Sequence, residues 1–122
     1  MFEPYREYQE TFCKPLSTIF GVEFGLTTTG GRCMALEATL EGGRYVWVTD
    51  ADEVLSTMAR RRECAAAASP CGFSAGVYLD GERWTGEPIG YAASQTACTV
   101  EDVAELIRAA VAKASVGQRK TT

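Results

Sequence analysis

Residues 33–50 read CMALEATLEGGRYVWVTD, and this stretch decides the fold. Apolar and polar side chains alternate on both sides of Gly42–Gly43, which is the two-residue period of strands with one buried face. Two successive glycines supply the positive φ angles of a two-residue hairpin loop, and closing the loop on them places Ala38 opposite Trp47. The stretch therefore predicts a β-hairpin whose buried face carries Met34, Leu36, Ala38, Leu40, Tyr45 and Trp47.

The segments around this hairpin carry their own signals. Apolar residues at spacings of three and four predict an amphipathic helix over residues 2–20, with a kink or split near Lys14 because Pro15 lacks an amide donor. The remaining predictions are a strand over residues 22–28, a helix over residues 51–67, a hairpin around Asp80–Gly81 that pairs Val77 with Trp84, and a final helix capped by Thr99–Asp102.

The predicted order is helix, three strands, helix, two strands, helix. This order is typical of an α+β domain with one antiparallel, twisted five-stranded sheet covered by helices on one face. At 122 residues the chain is about one domain long. We expect a single domain over residues 1–116 and a flexible tail over residues 117–122, where polar residues have few apolar partners.

The net charge and the distribution of apolar residues limit the partners and the cellular location that we expect. The net charge of −4 disfavours non-specific binding to nucleic acid or to an anionic membrane, because a basic surface drives such binding, but it permits basic protein partners. The N-terminus lacks the basic start and apolar stretch of a signal peptide, and no apolar run is long enough to span a membrane. We therefore expect a cytoplasmic protein.

The chain contains no histidine. Its absence excludes histidine-activated serine and cysteine nucleophiles, imidazole acid–base catalysis and the HExxH metal site. Any catalysis would have to rest on carboxylates, Lys, Cys or Tyr. The glycines match neither a Walker A loop nor a dinucleotide fingerprint, so we expect no enzymatic activity, no metal and no cofactor.

The five cysteines are odd in number and contain no CxxC pair. Most of them are expected to be small buried apolar residues. Cys64 and Cys71 bracket the sequence AAAASP where a helix is expected to end, so they are a candidate redox-labile pair.

An acidic cluster, Asp50, Asp52 and Glu53, follows the first hairpin. The spacing favours a helix start in which Asp50 caps the first free amides and all three acids interact with the positive end of the helix dipole.

The alternative is a metal-dependent hydrolase or phosphatase that uses the same three acids. The phrase VWVTDADEVL resembles the first motif of haloacid dehalogenase-like phosphatases, which implies a nucleophile at Asp50 and an acid/base at Asp52. The rest of the chain departs from that family, because the strand belongs to a hairpin and a chain of 122 residues lacks room for the family's doubly wound fold.

Three arginines, Arg60, Arg61 and Arg62, follow one another in the predicted central helix. Successive helical residues point about 100° apart, so the run is interpreted as a solvated helix face. The alternative is a contact with an acidic protein or with a nucleic-acid backbone, because Arg suits bidentate recognition.

Aromatic residues mark two candidate partner surfaces. Phe2, Tyr5 and Tyr8 lie on the stripe of the N-terminal helix, and Trp84 lies in the second hairpin, whose edge is expected to be open because Pro88 cannot join a ladder. The stripe either packs on the sheet or forms a dimer or partner surface.

The element order and acidic charge resemble the class I chaperones of type III secretion and related secretion-chaperone-like proteins. That resemblance implies a small, frequently dimeric protein that binds polypeptide segments without catalysis. In texture, the phrases GRYVWVTDADE and GVYLDGERWTGEPIGYA are similar to small accessory proteins of actinobacteria and their phages. We therefore expect a non-enzymatic, protein-binding accessory or chaperone-like factor, phage-encoded and acting on a host protein, with a homodimer as one arrangement.

Overall fold

A computed structural model of the chain describes residues 3–30, 33–51, 54–69, 71–79 and 87–120. Three α-helices and five strands are assigned there. They are α1 (Lys14–Phe20), β1 (Gly25–Gly30), β2 (Cys33–Thr39), β3 (Arg44–Thr49), α2 (Met58–Ala66), β4 (Phe73–Leu79), β5 (Gly90–Ser94) and α3 (Val100–Lys120). A 3₁₀ turn (Glu3–Tyr5) and a π-helical turn (Gln9–Cys13) precede α1.

The five strands form one antiparallel sheet in the order β1-β2-β3-β4-β5. Each strand therefore pairs with its neighbour in sequence. The α+β class and the predicted order of elements are confirmed. In the part of the chain that the structure describes, no helix is both long and apolar enough to cross a bilayer.

The core lies between the helices and one face of the sheet. Directly paired residues of an antiparallel sheet point to the same side, and on this side they are Leu36, Val48, Ala75 and Ala92 along one row. All four are buried. Helix α3 packs closely on the sheet at Gly90, where an added Cβ would lie 2.1 Å from the Ala110 carbonyl oxygen.

The N-terminal helical segment is adjusted at Pro15, as the sequence predicts. Because proline has no amide hydrogen, the turn before it cannot close with the usual bond. The turn widens to a π-helical one, in which the Lys14 amide donates to the Gln9 carbonyl oxygen. Phe12 lies in this π-helical turn and packs on the sheet, where its ring centroid lies 5.2 Å from that of Phe73.

The register of the first hairpin differs from the prediction. The loop has three residues, Glu41–Gly43, and the Leu40 amide donates to the Arg44 carbonyl oxygen at 2.7 Å. Ala38 consequently pairs with Val46, and Trp47 pairs with Glu37. A one-residue shift moves a strand's side chains to the opposite face. Met34, Leu36 and Ala38 are in the core as predicted. Tyr45 is buried as predicted, but it lies with Trp47 on the face opposite the three described helices, which we call the helix-free face.

The second hairpin also pairs differently. Val77 pairs with Gly90 rather than with Trp84, and the Ile89 amide donates to the Val77 carbonyl oxygen at 2.7 Å. The edge position of this strand agrees with the prediction drawn from Pro88, since β5 is the last strand of the sheet. The predicted turn at Asp80–Gly81 lies outside the described residues.

The final helix begins as predicted, on a reciprocal cap. The Asp102 amide donates to Thr99 Oγ1 at 3.1 Å, and the Thr99 amide donates to Asp102 Oδ2 at 3.2 Å. The bonds from the Cys98 and Thr99 amides hold the pKa of Asp102 below its usual value. Helix α3 then runs to Lys120, past the predicted domain boundary at residue 116.

Candidate functional site

Arg61 is the centre of a buried polar cluster rather than part of a solvated face. Its side chain is only 10 % exposed. Arg61 Nε donates to the Tyr8 hydroxyl at 2.7 Å, and Nη1 donates to the Gly72 carbonyl oxygen at 3.0 Å. Nη2 forms an ion pair with Asp50, and the guanidinium lies over the Phe73 ring. The prediction of a solvated face is wrong for this arginine, because the long side chain can satisfy its donors inside the fold.

Asp50 does not cap α2, which corrects the predicted helix start. The helix begins at Met58, and its cap is Thr57, whose hydroxyl oxygen accepts from the Arg60 amide at 3.1 Å. Asp50 lies upstream of that cap and accepts from the Ser56 amide at 2.9 Å and from the Ser56 hydroxyl. Its partners are thus the loop before the helix and the buried Arg61 side chain.

This arrangement bears on the hydrolase alternative. The Asp50 side chain is 5 % exposed, and its two oxygens already accept from Ser56 and Arg61. A carboxylate that neutralises a buried arginine is poorly placed to attack a substrate or to bind a cation. Asp52 and Glu53 lie outside the described residues. Within the described ranges no group of three acidic or cysteine side chains has the arrangement of a metal site.

The three arginines point in different directions, as helical spacing predicts. Arg60 and Arg62 are exposed, and Arg62 Nη1 lies 2.7 Å from Glu7 Oε2. This pair raises the pKa of Arg62 through a hydrogen bond and its charge. With Arg61 directed inward, the run does not present a continuous basic surface to a nucleic-acid backbone.

The predicted aromatic surface of the N-terminal segment is internal at Tyr8. Tyr8 is completely buried, and its hydroxyl donates to the Ser56 carbonyl oxygen. Tyr5 is half-buried and stacks on Tyr8 with ring centroids 6.4 Å apart. Phe2 and Trp84 lie outside the described residues. The stripe thus packs within the protein at Tyr8.

A different aromatic cluster lies on the helix-free face of the sheet. The ring centroids of Tyr45, Trp47 and Tyr78 are 5.4 Å from one another in every pair. Tyr45 and Tyr78 are stacked because they pair directly across β3 and β4. Tyr91 lies on the same face and is 45 % exposed. We call Tyr45, Trp47, Tyr78 and Tyr91 the aromatic face.

A groove crosses this face at Gly76. Trp47 and Tyr91 are the two residues that pair with Gly76, one on each side. Neighbouring strands are about 4.8 Å apart, so the backbones that carry these two rings are about 10 Å apart across the glycine. Tyr78 lies along β4 against Gly76, where an added Cβ would meet its ring at 3.0 Å. The resulting cavity has a volume of about 240 Å³.

Hydroxyl groups fix the end of this groove. Thr49 Oγ1 and Ser74 Oγ are 3.1 Å apart, and Ser74 Oγ donates to the Asp50 carbonyl oxygen at 3.1 Å. The Tyr91 hydroxyl donates to the Ala51 carbonyl oxygen at 3.3 Å. The chain that leaves β3 is therefore held across the end of the groove, while the Asp50 carboxylate is directed to the buried cluster.

The sheet surface on the far side of Trp47 is acidic, because Glu37 of β2 pairs with Trp47 there. Trp47 Nε1 donates to Glu37 Oε2 at 2.6 Å, which fixes the indole ring beside a carboxylate. A second cavity of about 330 Å³ adjoins Glu37 and is also lined by Glu23, Thr27 and Thr39. The strand positions of this face that the structure describes carry no Lys or Arg. Aromatic rings and carboxylates together form a surface that attracts cations.

The phenol of Tyr78 is the titratable group at the base of the groove. Burial, followed by the nearby Tyr91 phenol, raises its pKa above the ordinary value for tyrosine. Tyr78 is therefore neutral at physiological pH and supplies a ring face and a hydroxyl rather than a charge.

Sequence reasoning missed the aromatic face as a site. It placed Tyr45 and Trp47 in the core, since a two-residue loop was assumed. A three-residue loop is the alternative that the same glycines allow, and it places Val46 and Val48 beside Ala38 and Leu36 in the core and Trp47 beside Glu37.

Comparison of the chain with family models, with curated proteins and with solved structures finds no match.

Proposed function

We propose that this chain is a non-enzymatic binding protein, chaperone-like in kind, whose aromatic face takes up a segment of a partner protein that carries Lys or Arg side chains. The observation that supports this proposal is the groove at Gly76, with Trp47 and Tyr91 as its walls and with Glu37 on the far side of Trp47. A flexible cationic side chain lying in this groove would contact two ring faces, and the Glu37 carboxylate beyond Trp47 would add attraction.

The chemistry of the partner follows from the charges. A cation over an aromatic ring gains electrostatic energy that survives partial exposure to water, and Trp gives the strongest interaction. The carboxylates Glu23 and Glu37 add attraction for the same sign of charge, and the net charge of −4 extends it over longer distances. An acidic partner segment would meet repulsion from the same groups.

The partner is expected on the face of the sheet rather than at its β5 edge. Edge strands recruit other strands through unpaired backbone groups. Lys113 Nζ, reaching over from α3, donates to the Tyr91 carbonyl oxygen at 3.0 Å. A lysine that already occupies an edge carbonyl discourages the addition of a strand there.

The test uses short synthetic peptides and the full chain. A peptide that alternates Thr and Arg, and a control of equal length that alternates Thr and Glu, are titrated against ¹⁵N-labelled protein. We expect the Thr–Arg peptide to shift the amide signals of Gly76, Tyr78 and Tyr91 and the indole signal of Trp47. The affinity should fall as salt is added, because exposed charges are screened.

Matched variants locate the contact. Glu37→Gln removes a charge without removing volume, and Trp47→Leu removes the ring face while keeping an apolar side chain. Each should weaken binding of the Thr–Arg peptide, Trp47→Leu by about fivefold, since a well-placed cation–π contact contributes about 1 kcal/mol. Ile19→Ala, a change at an exposed apolar residue of α1, should leave the affinity unchanged.

Three outcomes would overturn the proposal. One is equal binding of the Thr–Glu peptide. Another is a set of shifts that maps to the helices. The third is a set of shifts on the aromatic face that depends on protein concentration without peptide, which would show that a second copy of the chain covers this face.

A further inference from the structure

Cys64 and Cys71 bring their sulfur atoms together at the end of α2. Their Sγ atoms are 3.1 Å apart, which is about 1 Å more than the length of a disulfide bond. Both side chains are partly exposed, so a small oxidant can reach them. The pair lies outside the aromatic face and takes no part in the proposed binding of a partner.

The backbone between the two cysteines produces this proximity. The Ser69 amide donates to the Cys64 carbonyl oxygen at 2.8 Å, and Ala68 adopts a left-handed conformation with φ of 57°. These features end the helix and reverse the chain, which returns Cys71 to the last turn of α2. The sulfur atoms are therefore adjacent because of local backbone geometry.

The pair also lies beside the buried polar cluster. Cys71 precedes Gly72, whose carbonyl oxygen accepts a hydrogen bond from Arg61. Cys64 lies in α2 less than one helical turn after Arg61. A covalent bond between the sulfurs would connect the same two segments that the Arg61 side chain connects by a hydrogen bond.

We infer that Cys64 and Cys71 form a reversible intramolecular disulfide when the protein meets a low-molecular-weight disulfide such as oxidised glutathione. In the first step one cysteine thiolate attacks the oxidant, its S–S bond breaks and one glutathione thiol leaves. The second cysteine then attacks the protein sulfur of the mixed disulfide and releases the second glutathione. The two protein thiols lose two electrons and two protons, and the oxidant is reduced to two thiols.

The rate of this exchange is governed by thiolate formation. Burial and the hydrogen bond with Cys64 raise the pKa of Cys71, and the charge of Asp50 acts in the same direction, while a hydrogen bond with Ser56 opposes them. Because the thiolate is the attacking form, exchange should be faster at pH 9 than at pH 7. The position of the final equilibrium is the more direct test.

Peptide mapping identifies the bond without ambiguity. Trypsin cleaves after Arg62 and Arg83, so Cys64 and Cys71 fall in one peptide, whereas Cys98 falls in the next. The folded chain is equilibrated in a glutathione redox buffer, treated with an alkylating reagent and digested. We expect the peptide of residues 63–83 to carry no alkyl group and to weigh about 2 Da less than its reduced, unalkylated form. Cys98 should remain alkylated.

Two comparisons make the result decisive. The same equilibration in guanidinium chloride measures the pair in the unfolded chain, and the folded chain should show the larger disulfide fraction at each glutathione ratio. In Cys64→Ser or Cys71→Ser the remaining cysteine should stop at the mixed disulfide with glutathione. Cys98→Ser should behave as the unchanged protein.

The inference is overturned if the peptide of residues 63–83 stays fully alkylated while Cys98 becomes glutathionylated. It is also overturned if the folded chain holds less of the disulfide than the unfolded chain, since the native geometry would then oppose the bond. Both readouts use the unchanged sequence, so they do not depend on the folding of a variant.

Discussion

The guanidinium carbon of Arg61 lies 3.6 Å from the centroid of the Phe73 ring, so a cation of α2 stacks on the first residue of β4. No residue of α2 is fully buried. Arg61 anchors the helix to the domain through its stacking on Phe73 and its bonds to Tyr8, Asp50 and Gly72, and Met58 adds apolar packing against the core.

Replacing Arg61 by Ala should lower the free energy of unfolding by about 3–5 kcal/mol, because it leaves the buried Asp50 carboxylate without its cation. Urea denaturation measures the change. Arg62→Ala is the matched control, since solvent screens the exposed pair of Arg62 with Glu7 and this variant should keep nearly the same urea midpoint. Equal urea midpoints for the two variants would contradict the anchoring role of Arg61.

Tyr8 should make stability depend on pH in the alkaline range. Burial raises the pKa of Tyr8 from 10.0 to about 12, although the neighbouring Arg61 acts against this rise. The unfolded chain therefore loses the phenolic proton before the folded chain does. The stabilisation is complete below about pH 10 and is lost as the pH rises towards 12, with a slope of up to about 1.4 kcal/mol per pH unit.

The variant Tyr8→Phe should lack this contribution to the slope. At neutral pH it should already be less stable by about 1–3 kcal/mol, since the Ser56 carbonyl oxygen and Arg61 Nε lose their partner. Urea denaturation of both proteins between pH 8 and pH 11 gives the comparison. Parallel pH profiles for the two proteins would show that Tyr8 ionises equally in the folded and unfolded states.

The features that the sequence predicts correctly are those set by near neighbours. The cap formed by Thr99 and Asp102 needs residues three apart, and Gly42 and Gly43 both adopt the positive φ angles expected of them. The order of the elements follows from such local signals and from the alternation of apolar residues.

The features that the sequence does not predict depend on distant partners or on one residue of loop length. Asp50 has the spacing of a helix cap, but its two carboxylate oxygens accept hydrogen bonds from Ser56 and from the buried Arg61 instead. The choice of a three-residue loop over a two-residue loop carries Trp47 from the core to the helix-free face. The aromatic face was not predicted as a site because two of its residues, Tyr45 and Trp47, belong to β3, whose register depends on the length of this loop.

The cap of α3 gives a local test of stability. Thr99→Ala removes the acceptor for the Asp102 amide and should lower the free energy of unfolding by about 1 kcal/mol. Thr18→Ala is a suitable control, because the Thr18 hydroxyl bonds only to the Lys14 carbonyl within its own helix at 3.3 Å. If Thr18→Ala costs as much as Thr99→Ala, the loss reflects the removal of any threonine hydroxyl rather than of the cap.

Gly90 should tolerate no side chain, because α3 lies directly on it. A Cβ at this position would lie 2.1 Å from the Ala110 carbonyl oxygen and 2.6 Å from the Ala114 amide nitrogen, both of which belong to the helix backbone. Gly90→Ala should therefore force α3 away from β5 and lower the free energy of unfolding by about 2 kcal/mol or more. Gly25→Ala is the control, since no atom lies within 4 Å of a Cβ there and its φ is not positive. Its effect on the free energy of unfolding should be within about 1 kcal/mol.

Hydrogen exchange shows where the Gly90→Ala change acts. If the clash acts through the helix, amide exchange should become faster along α3 and stay unchanged in β1 and β2. Unchanged exchange in α3 together with an unchanged urea midpoint would mean that the helix does not pack on Gly90.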